Sequence, residues 1–219
     1  LHNGGSKTKI RWHGHACFEI GDEVTVITDP HDGKSIGIKQ PHAKADIVLI
    51  SHDHFDHNHP KVVEGRDTTI LTREIDSTKN GIKILSLKTF HDDSQGSKRG
   101  ENLLFKFTLG NINFCHLGDL GHVPDEGILE KLGDIDILFV PVGNVFTIGP
   151  EQAWKVIRAI EPNVAIPMHY RVGGLSLSIK PVEPFLNIAH EDSIVRVGNE
   201  MDLEKEDLPE KFEVWVFTL

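Results

Sequence analysis

The sequence predicts an α/β fold of stacked β-sheets covered by helices, and three observations carry that expectation. The N-terminal third is rich in short β-type runs. The second half alternates strand-like runs with helical segments that are apolar on one face only. No internal repeat, low-complexity tract or linker separates the two, and 219 residues suffice for one substantial core. A single domain over residues 10–219 is therefore expected, with residues 1–9 as a flexible lead-in or expression remnant.

In chain order, "KIRWHGHACFEI" and "EVTVIT" are β-rich runs joined across Gly21-Asp22. "ADIVLI", residues 45–50, is short, apolar and bounded by turn formers, like a strand buried on both faces. "GIKILSLKTF" follows the Asn80-Gly81 turn signal, and "NLLFKFTL" and "INFCHL" flank Gly110-Asn111, a two-residue hairpin turn. "GPEQAWKVIRAIEP" predicts a helix with Pro150 near its start and Ala153, Val156, Ile157 and Ile160 on one face. "KPVEPFLNIAHE" repeats the pattern with Val182, Phe185, Leu186 and Ala189. "DILFVPV", "NVAIPM", "SIVRV" and "FEVWVF" are strand-like.

Composition narrows the function classes. Hydrophobic residues at 38% and charged residues at 26% are ordinary for a folded, soluble chain. No apolar stretch approaches the roughly 20 residues of a membrane span. "LHNGGS" has no basic region followed by an apolar one, so a signal peptide is not expected. A net charge of −10 opposes extended nucleic-acid contacts, although a bound metal would still allow an anionic substrate. Cys17 and Cys115 lie in apolar segments and read as buried small hydrophobes, which fits a reducing, cytoplasmic setting. Histidine, at fourteen, is the unusual count and points to imidazole and carboxylate metal ligation.

Those histidines concentrate in "SHDHFDH", residues 51–57. If residues 45–50 form a buried strand, this segment is the loop leaving its C-terminal end, a favoured place for ligands in α/β sheets. His52 and His54 project to one side of an extended chain and can share an ion, while Asp56 and His57 follow where the chain bends and can reach a second ion. Asp53 and Phe55 are spacers. The competing reading is a solvated loop rich in turn formers, which does not explain four ligand-type residues at metal-compatible spacing.

The H-x-H-x-D-H segment resembles the signature of the metallo-β-lactamase superfamily. That resemblance implies a four-layer αββα sandwich with a mono- or dinuclear metal site at one edge. His91 after "ILSLKTF", Asp119 in the Gly118-Asp119 turn after "INFCHL", and His169 after "NVAIPM" resemble the later metal residues. The resemblance implies one ion held by His52, His54 and His91 and another by Asp56, His57 and His169, with Asp119 between them. Such a donor set suits a divalent ion with an open position for water; Zn is the first choice, and Fe and Mn suit the same nitrogen and oxygen donors. His116 reads as a packed histidine, and His31, His42, His59, His122 and His190 as surface or loop residues.

Asp29 is either a brace for the histidine-rich loop, as the resemblance suggests, or a turn-forming Asp-Pro. "WHGHACF" resembles the first-strand segment of one branch, which would bring His15 near the site, or His15 is structural. "VPVGNVFTIGPEQA" followed by "IPMHY" is similar to small metal-dependent hydrolases related to ascorbate-6-phosphate lactonase, and more distantly to the phospholipase D that cleaves N-acyl-phosphatidylethanolamine. The resemblance runs from Ile10 to Arg171. Leu120 departs from the G-D-T turn common in relatives and removes a hydroxyl near the bridging position.

The implied activity is hydrolysis of an ester, lactone or phosphodiester of a small, possibly anionic molecule. A hydroxide bridging two ions would attack, its formation eased because zinc lowers the pKa of bound water to about 7. Asp56 is the expected catalytic residue, orienting the nucleophile or taking its proton. Arg171 is the candidate for gripping an anion at the site mouth, whereas Lys98 and Arg99 read as a solvated basic pair. The alternatives are a non-catalytic metal-binding protein or sensor on the same fold, or a phosphodiesterase or nuclease; acidity opposes tRNA processing. Oligomeric state is not encoded in any of these features.

Overall fold

The computed structural model describes residues 7–219 and has two sheets packed face to face. The six-stranded sheet contains β1 (Thr8–Trp12), β2 (Phe18–Gly21), β3 (Thr25–Thr28), β4 (Ala45–Leu49), β5 (Glu64–Leu71) and β13 (Glu200–Leu203), in the order β13-β1-β2-β3-β4-β5. The eight-stranded sheet adds β6 (Ile75–Lys79), β7 (Ile82–Phe90), β8 (Glu101–Leu109), β9 (Ile112–His116), β10 (Ile137–Pro141), β11 (Val164–Met168), β12 (Ile194–Arg196) and β14 (Glu213–Val216), in the order β12-β14-β11-β10-β9-β8-β7-β6.

Local chemistry explains the strand edges. Gly110-Asn111 and Asn80-Gly81 both adopt positive φ at both positions, which a type I′ turn requires, and each closes an antiparallel hairpin. β10 and β11 are apolar along their whole length, buried on both faces and parallel. Fully buried aromatics fill the space between the sheets, among them Trp12, Phe18, Phe105, Phe114 and Phe139, with the Phe18 and Phe139 rings 4.4 Å apart. Removing one such ring typically costs about 3–5 kcal/mol.

The helices all belong to connections of the eight-stranded sheet: α1 (Glu126–Leu132), α2 (Pro150–Ile160) and α3 (Glu183–Leu186). α1 is capped by Asp125, whose Oδ1 accepts the Ile128 N–H at 2.9 Å. α2 buries Ala153, Trp154, Val156 and Ile157 on its inner side. On the six-stranded sheet, the parallel connections β3 to β4 and β4 to β5 contain only loops and short 3-10 turns at Lys34–Ile36 and Pro60–Val62. Cys17, Ile27, Ala45, Val48, Ile50 and Val63 form a small separate cluster on that side. The crossover from β4 to β5 is thus free to be a ligand-bearing loop.

Several boundaries differ from the sequence reading. Thr8 and Lys9, assigned to the lead-in, lie in β1 and pair with β13; the lead-in expected for residues 1–6 lies outside the described residues. The run from Lys9 to Ile20 is two strands, with a turn at 13–17 closed by Cys17 N–H on Gly14 C=O at 3.0 Å. The second expected helix shrinks to α3: Pro184 can donate no N–H, and the turn beyond it continues on the tighter Ile188-to-Phe185 and Ala189-to-Leu186 bonds. Both cysteines are buried and free. No described helix is long and apolar enough to cross a membrane.

Candidate metal centre

Each implicated side chain leaves the end of a strand or a tight turn. His52 to His57 occupy the loop after β4, His91 follows β7, Asp119 follows β9, and His169 follows β11. The two sheets are tied at this edge by the Leu103 N–H, which donates to Ser51 C=O at 2.8 Å. Gly118 has φ +58, and a Cβ there would run into Asn102 Oδ1 and the Ser51 side chain, so only glycine lets the Asp119 turn come so close to the loop.

The carboxylate of Asp119 stands at the centre. Its Oδ2 lies 3.1 Å from His57 Nε2, 3.1 Å from His91 Nε2, 3.2 Å from His169 Nε2 and 3.4 Å from His52 Nε2. Asp56 Oδ2 is 3.2 Å from His57 Nε2 and 2.7 Å from His15 Nε2. His54 faces both His52 and His91, with ring centroids 4.4 and 5.0 Å away. Donor atoms that share an ion at about 2.0–2.2 Å stand about 3.0–3.5 Å apart, which is the spacing around Asp119. Among the described residues three compact donor groups result, His52, His54 and His91; His15, Asp56, His57 and His169; and Asp29, His52 and His57, which shares a histidine with each of the others.

Polar satisfaction tests whether a cation fits. Among the described residues eight buried side-chain polar atoms have no hydrogen-bond partner, and six of them belong to this cluster: His15 Nδ1, His52 Nε2, His57 Nε2, His91 Nδ1, Asp119 Oδ1 and His169 Nδ1. Each such atom normally costs about 1–3 kcal/mol, so their concentration in one place calls for a partner the chain itself does not provide. Tautomers agree with that reading. Ser51 Oγ donates to Asp29 Oδ2 at 2.6 Å, so His52 Nδ1–H donates to Ser51 Oγ at 2.8 Å and Nε2 keeps its lone pair. His57 Nδ1–H donates to Asp29 Oδ2 at 2.9 Å, which likewise leaves its Nε2 lone pair for an ion.

The electrostatics point the same way. Burial pushes His57 down, but the carboxylates of Asp119, Asp56 and Asp29 outweigh it and hold the imidazole well above its ordinary value. Burial likewise lowers His91 and Asp119 raises it, with a net upward shift. Burial would raise the Asp119 carboxyl, yet His169, His57 and His52 keep it well below the carboxylate range. Three carboxylates thus share one pocket with imidazoles, and without a metal their charge is balanced by protons on histidine. A divalent cation would take over that balance and displace the protons.

The fold agrees with known proteins. Residues 9–169 match the Beta-lactamase superfamily domain. The chain belongs to the metallo-β-lactamase superfamily. A metal-dependent hydrolase of Thermoplasma acidophilum is 30% identical over 186 residues, which cover 74% of this chain and 83% of that protein. A structure from Thermotoga maritima, assigned as a zinc-dependent hydrolase of the superfamily, is 40% identical with a TM-score of 0.79, covering 96% of this chain and 98% of that one. A structure from Parabacteroides distasonis shares the fold at 21% identity, with a TM-score of 0.69 and coverage of 96% and 93%.

Within the superfamily frame, this chain supports its cluster through several further residues. Asp29, at φ +36, accepts the Ser51 N–H at 2.7 Å as well as the Ser51 hydroxyl and His57, so one carboxylate fixes the root of the loop and one of its histidines. His15 sits at the tip of the β1–β2 turn with φ +57, packs against the tilted His169 ring at 4.1 Å between centroids, and accepts the His169 N–H on its carbonyl at 3.1 Å. Burial, reinforced by His169, pushes His15 down to about 3, so it is neutral at physiological pH. It stands closer to the donor cluster than a merely adjacent residue. Asn102 went unnoticed in the sequence: its Oδ1 accepts the Asp119 N–H at 2.9 Å, while its Nδ2 donates to Thr89 and Leu117.

Other expectations resolve differently. His116 stays outside the cluster, with Nε2 on Ala16 C=O at 2.9 Å and Nδ1 accepting the Gly118 N–H at 3.2 Å. His31 lies in a loop but is fully buried, because its two ring nitrogens serve the Gly33 N–H and the His13 carbonyl. Leu120 is buried in the main core, and its carbonyl accepts the Ile148 N–H at 2.9 Å. Arg171 is exposed and does not line the cavity in front of the cluster, whereas Arg99 does.

Proposed function

We propose that this chain is a metal-dependent hydrolase that acts on an ester, lactone or phosphodiester of a small molecule with two divalent ions, zinc first among them. His52, His54 and His91 would hold one ion and Asp56, His57 and His169 the other, with Asp119 between them and His15 at the edge of the second set. The observation that carries the reading is the approach of four histidine Nε2 atoms to the Asp119 carboxylate, in a cluster that holds six buried polar atoms without a hydrogen-bond partner. The superfamily membership and the hydrolase relatives support it. Bound ions supply Lewis acidity toward the substrate oxygen and make coordinated water more acidic.

The chain's own residues supply position. Asp56 Oδ2 is engaged by His15 and His57, while Asp56 as a residue lines the cavity. Burial works to raise its carboxyl, but His57 and the hydrogen bond from His15 hold it far below the usual range. Held by these partners at the cavity wall, Asp56 is placed to orient the attacking water. Neutral His15 keeps that carboxylate in one rotamer through Nε2–H.

Turnover of a panel of aryl esters, lactones and phosphodiesters by zinc-reconstituted protein tests the reading. Activity on one class that disappears in His54→Ala supports it. A fully metal-loaded protein inert to the whole panel, or activity untouched by His54→Ala, favours a metal-binding sensor instead.

A further inference from the structure

The cavity that opens onto the cluster has a volume of about 300 Å³. That is the small end of small-molecule sites, so it encloses a compact ligand and not a polymer segment. Apart from the donor side chains, its wall is apolar: Phe55, Phe146 and Leu177 line it. Phe55 and Phe146 remain 56% and 38% exposed, which for large apolar side chains beside a polar centre marks a binding surface.

One cation interrupts that wall. Arg99 also lines the cavity, with Nη2 donating to Val145 C=O at 3.1 Å and its guanidinium carbon 5.4 Å from the Phe146 ring centroid. Both ends of this arrangement are fixed by the backbone. The Asp92 carboxylate, next to His91, accepts the N–H groups of Ser94, Gly96, Lys98 and Arg99 at 2.7 to 3.0 Å and shapes the loop that presents Arg99. On the other side, Val145 is held at φ +62, a strained value for a β-branched residue, with the Phe146 N–H on Asn144 C=O at 2.6 Å. Arg99 makes no ion pair with a carboxylate among the described residues, in a chain with 33 acidic side chains.

The geometry points to a substrate that combines a compact apolar group with an anionic group remote from the scissile bond, the apolar part seated on Phe55, Phe146 and Leu177 and the anion on Arg99. This inference rests on the hydrolase reading of the same site. A guanidinium held over an aromatic face with one nitrogen on a carbonyl still has N–H groups to offer a carboxylate or phosphate, in a planar fork that lysine does not reproduce.

The test compares two ligands of matched shape that differ in carrying a carboxylate or a neutral amide, phenylbutyrate and phenylbutyramide, by titration calorimetry on the zinc-loaded protein and on Arg99→Ala, Arg99→Lys and Phe55→Ala. Phenylbutyrate should bind the unaltered protein about tenfold or more tightly than the amide, the scale of a charge-assisted hydrogen bond. Arg99→Ala should erase that gap, Arg99→Lys should keep only part of it, and Phe55→Ala should weaken both ligands alike. A gap that survives Arg99→Ala means the carboxylate is taken by the metals, and it overturns the inference, as does the lack of any gap. The hydrolase reading fails separately: an Arg99-dependent gap in a protein that turns over no ester, lactone or phosphodiester sinks the catalysis and keeps the ligand class.

Discussion

His52, His54 and His91 are supported quite differently from His15, Asp56, His57 and His169. In the first group His54 is half-buried while the His52 side chain is almost fully enclosed, and only His52 is braced by a hydroxyl, that of Ser51. In the second every member is buried, His57 is gripped by the Asp29 carboxylate, and Asp56 by His15. Hydrogen bonds from carboxylates to ligand imidazoles raise their basicity and fix their orientation. The comparison predicts that, of two bound ions, the one on the Asp56, His57 and His169 side would be held more tightly. Both groups reach the cavity, the first through His54 and His91 and the second through Asp56 and His169.

The change that should do most damage removes what the two halves share. Asp119→Ala should strip both ions and lower turnover about a thousandfold or more, because several kcal/mol of Lewis-acid stabilisation go with them. Metal analysis beside initial rates checks this, and loss of one ion alone would place Asp119 on a single side. Next in size, Asp29→Ala should weaken the tighter ion about 10–100-fold, while Ser51→Ala should cost less. Chelator competition measures both, and a larger loss in Ser51→Ala would reverse the comparison.

A smaller effect concerns protons. His57 and His91 are raised in the metal-free protein, so zinc binding near neutral pH should release about one to two protons and tighten as pH rises. The sign for stability follows. Raised imidazoles stabilise the metal-free fold below the ordinary histidine value of about 6.5, and that contribution fades as pH climbs through the raised values. The gap in Tm between zinc-loaded and chelator-treated protein should therefore widen with pH; a constant gap would mean these histidines are already unprotonated.

What the sequence made legible depended on whether the residues are neighbours in the chain. His52, His54, Asp56 and His57 announce themselves because four donors share six positions. His91, Asp119 and His169 are findable because each follows a strand, and the structure brings His57, His91 and His169 each within 3.2 Å of the Asp119 carboxylate. His15 was harder: its place depends on a turn inside one long β-rich run, at a positive φ that no pattern of apolar residues reveals. Asn102 opens an apolar strand and looked like an ordinary edge residue, although it anchors the Asp119 turn. Arg99 looked like half of a solvated pair, since only the packing of the 143–149 loop brings Phe146 and the Val145 carbonyl to it. The strands β5 and β6 are hard to read because they are edge strands and largely polar: β6 alternates in burial, but only Ile75 is apolar, so its sequence carries no apolar alternation.

Elemental analysis of the purified protein after zinc reconstitution and removal of free metal tests the central claim most directly. The account predicts about two ions per chain in the unaltered protein, and one per chain when His54→Ala opens the weaker side. A protein that retains no zinc, or one whose zinc content is unaffected by His54→Ala and Asp119→Ala, would contradict it.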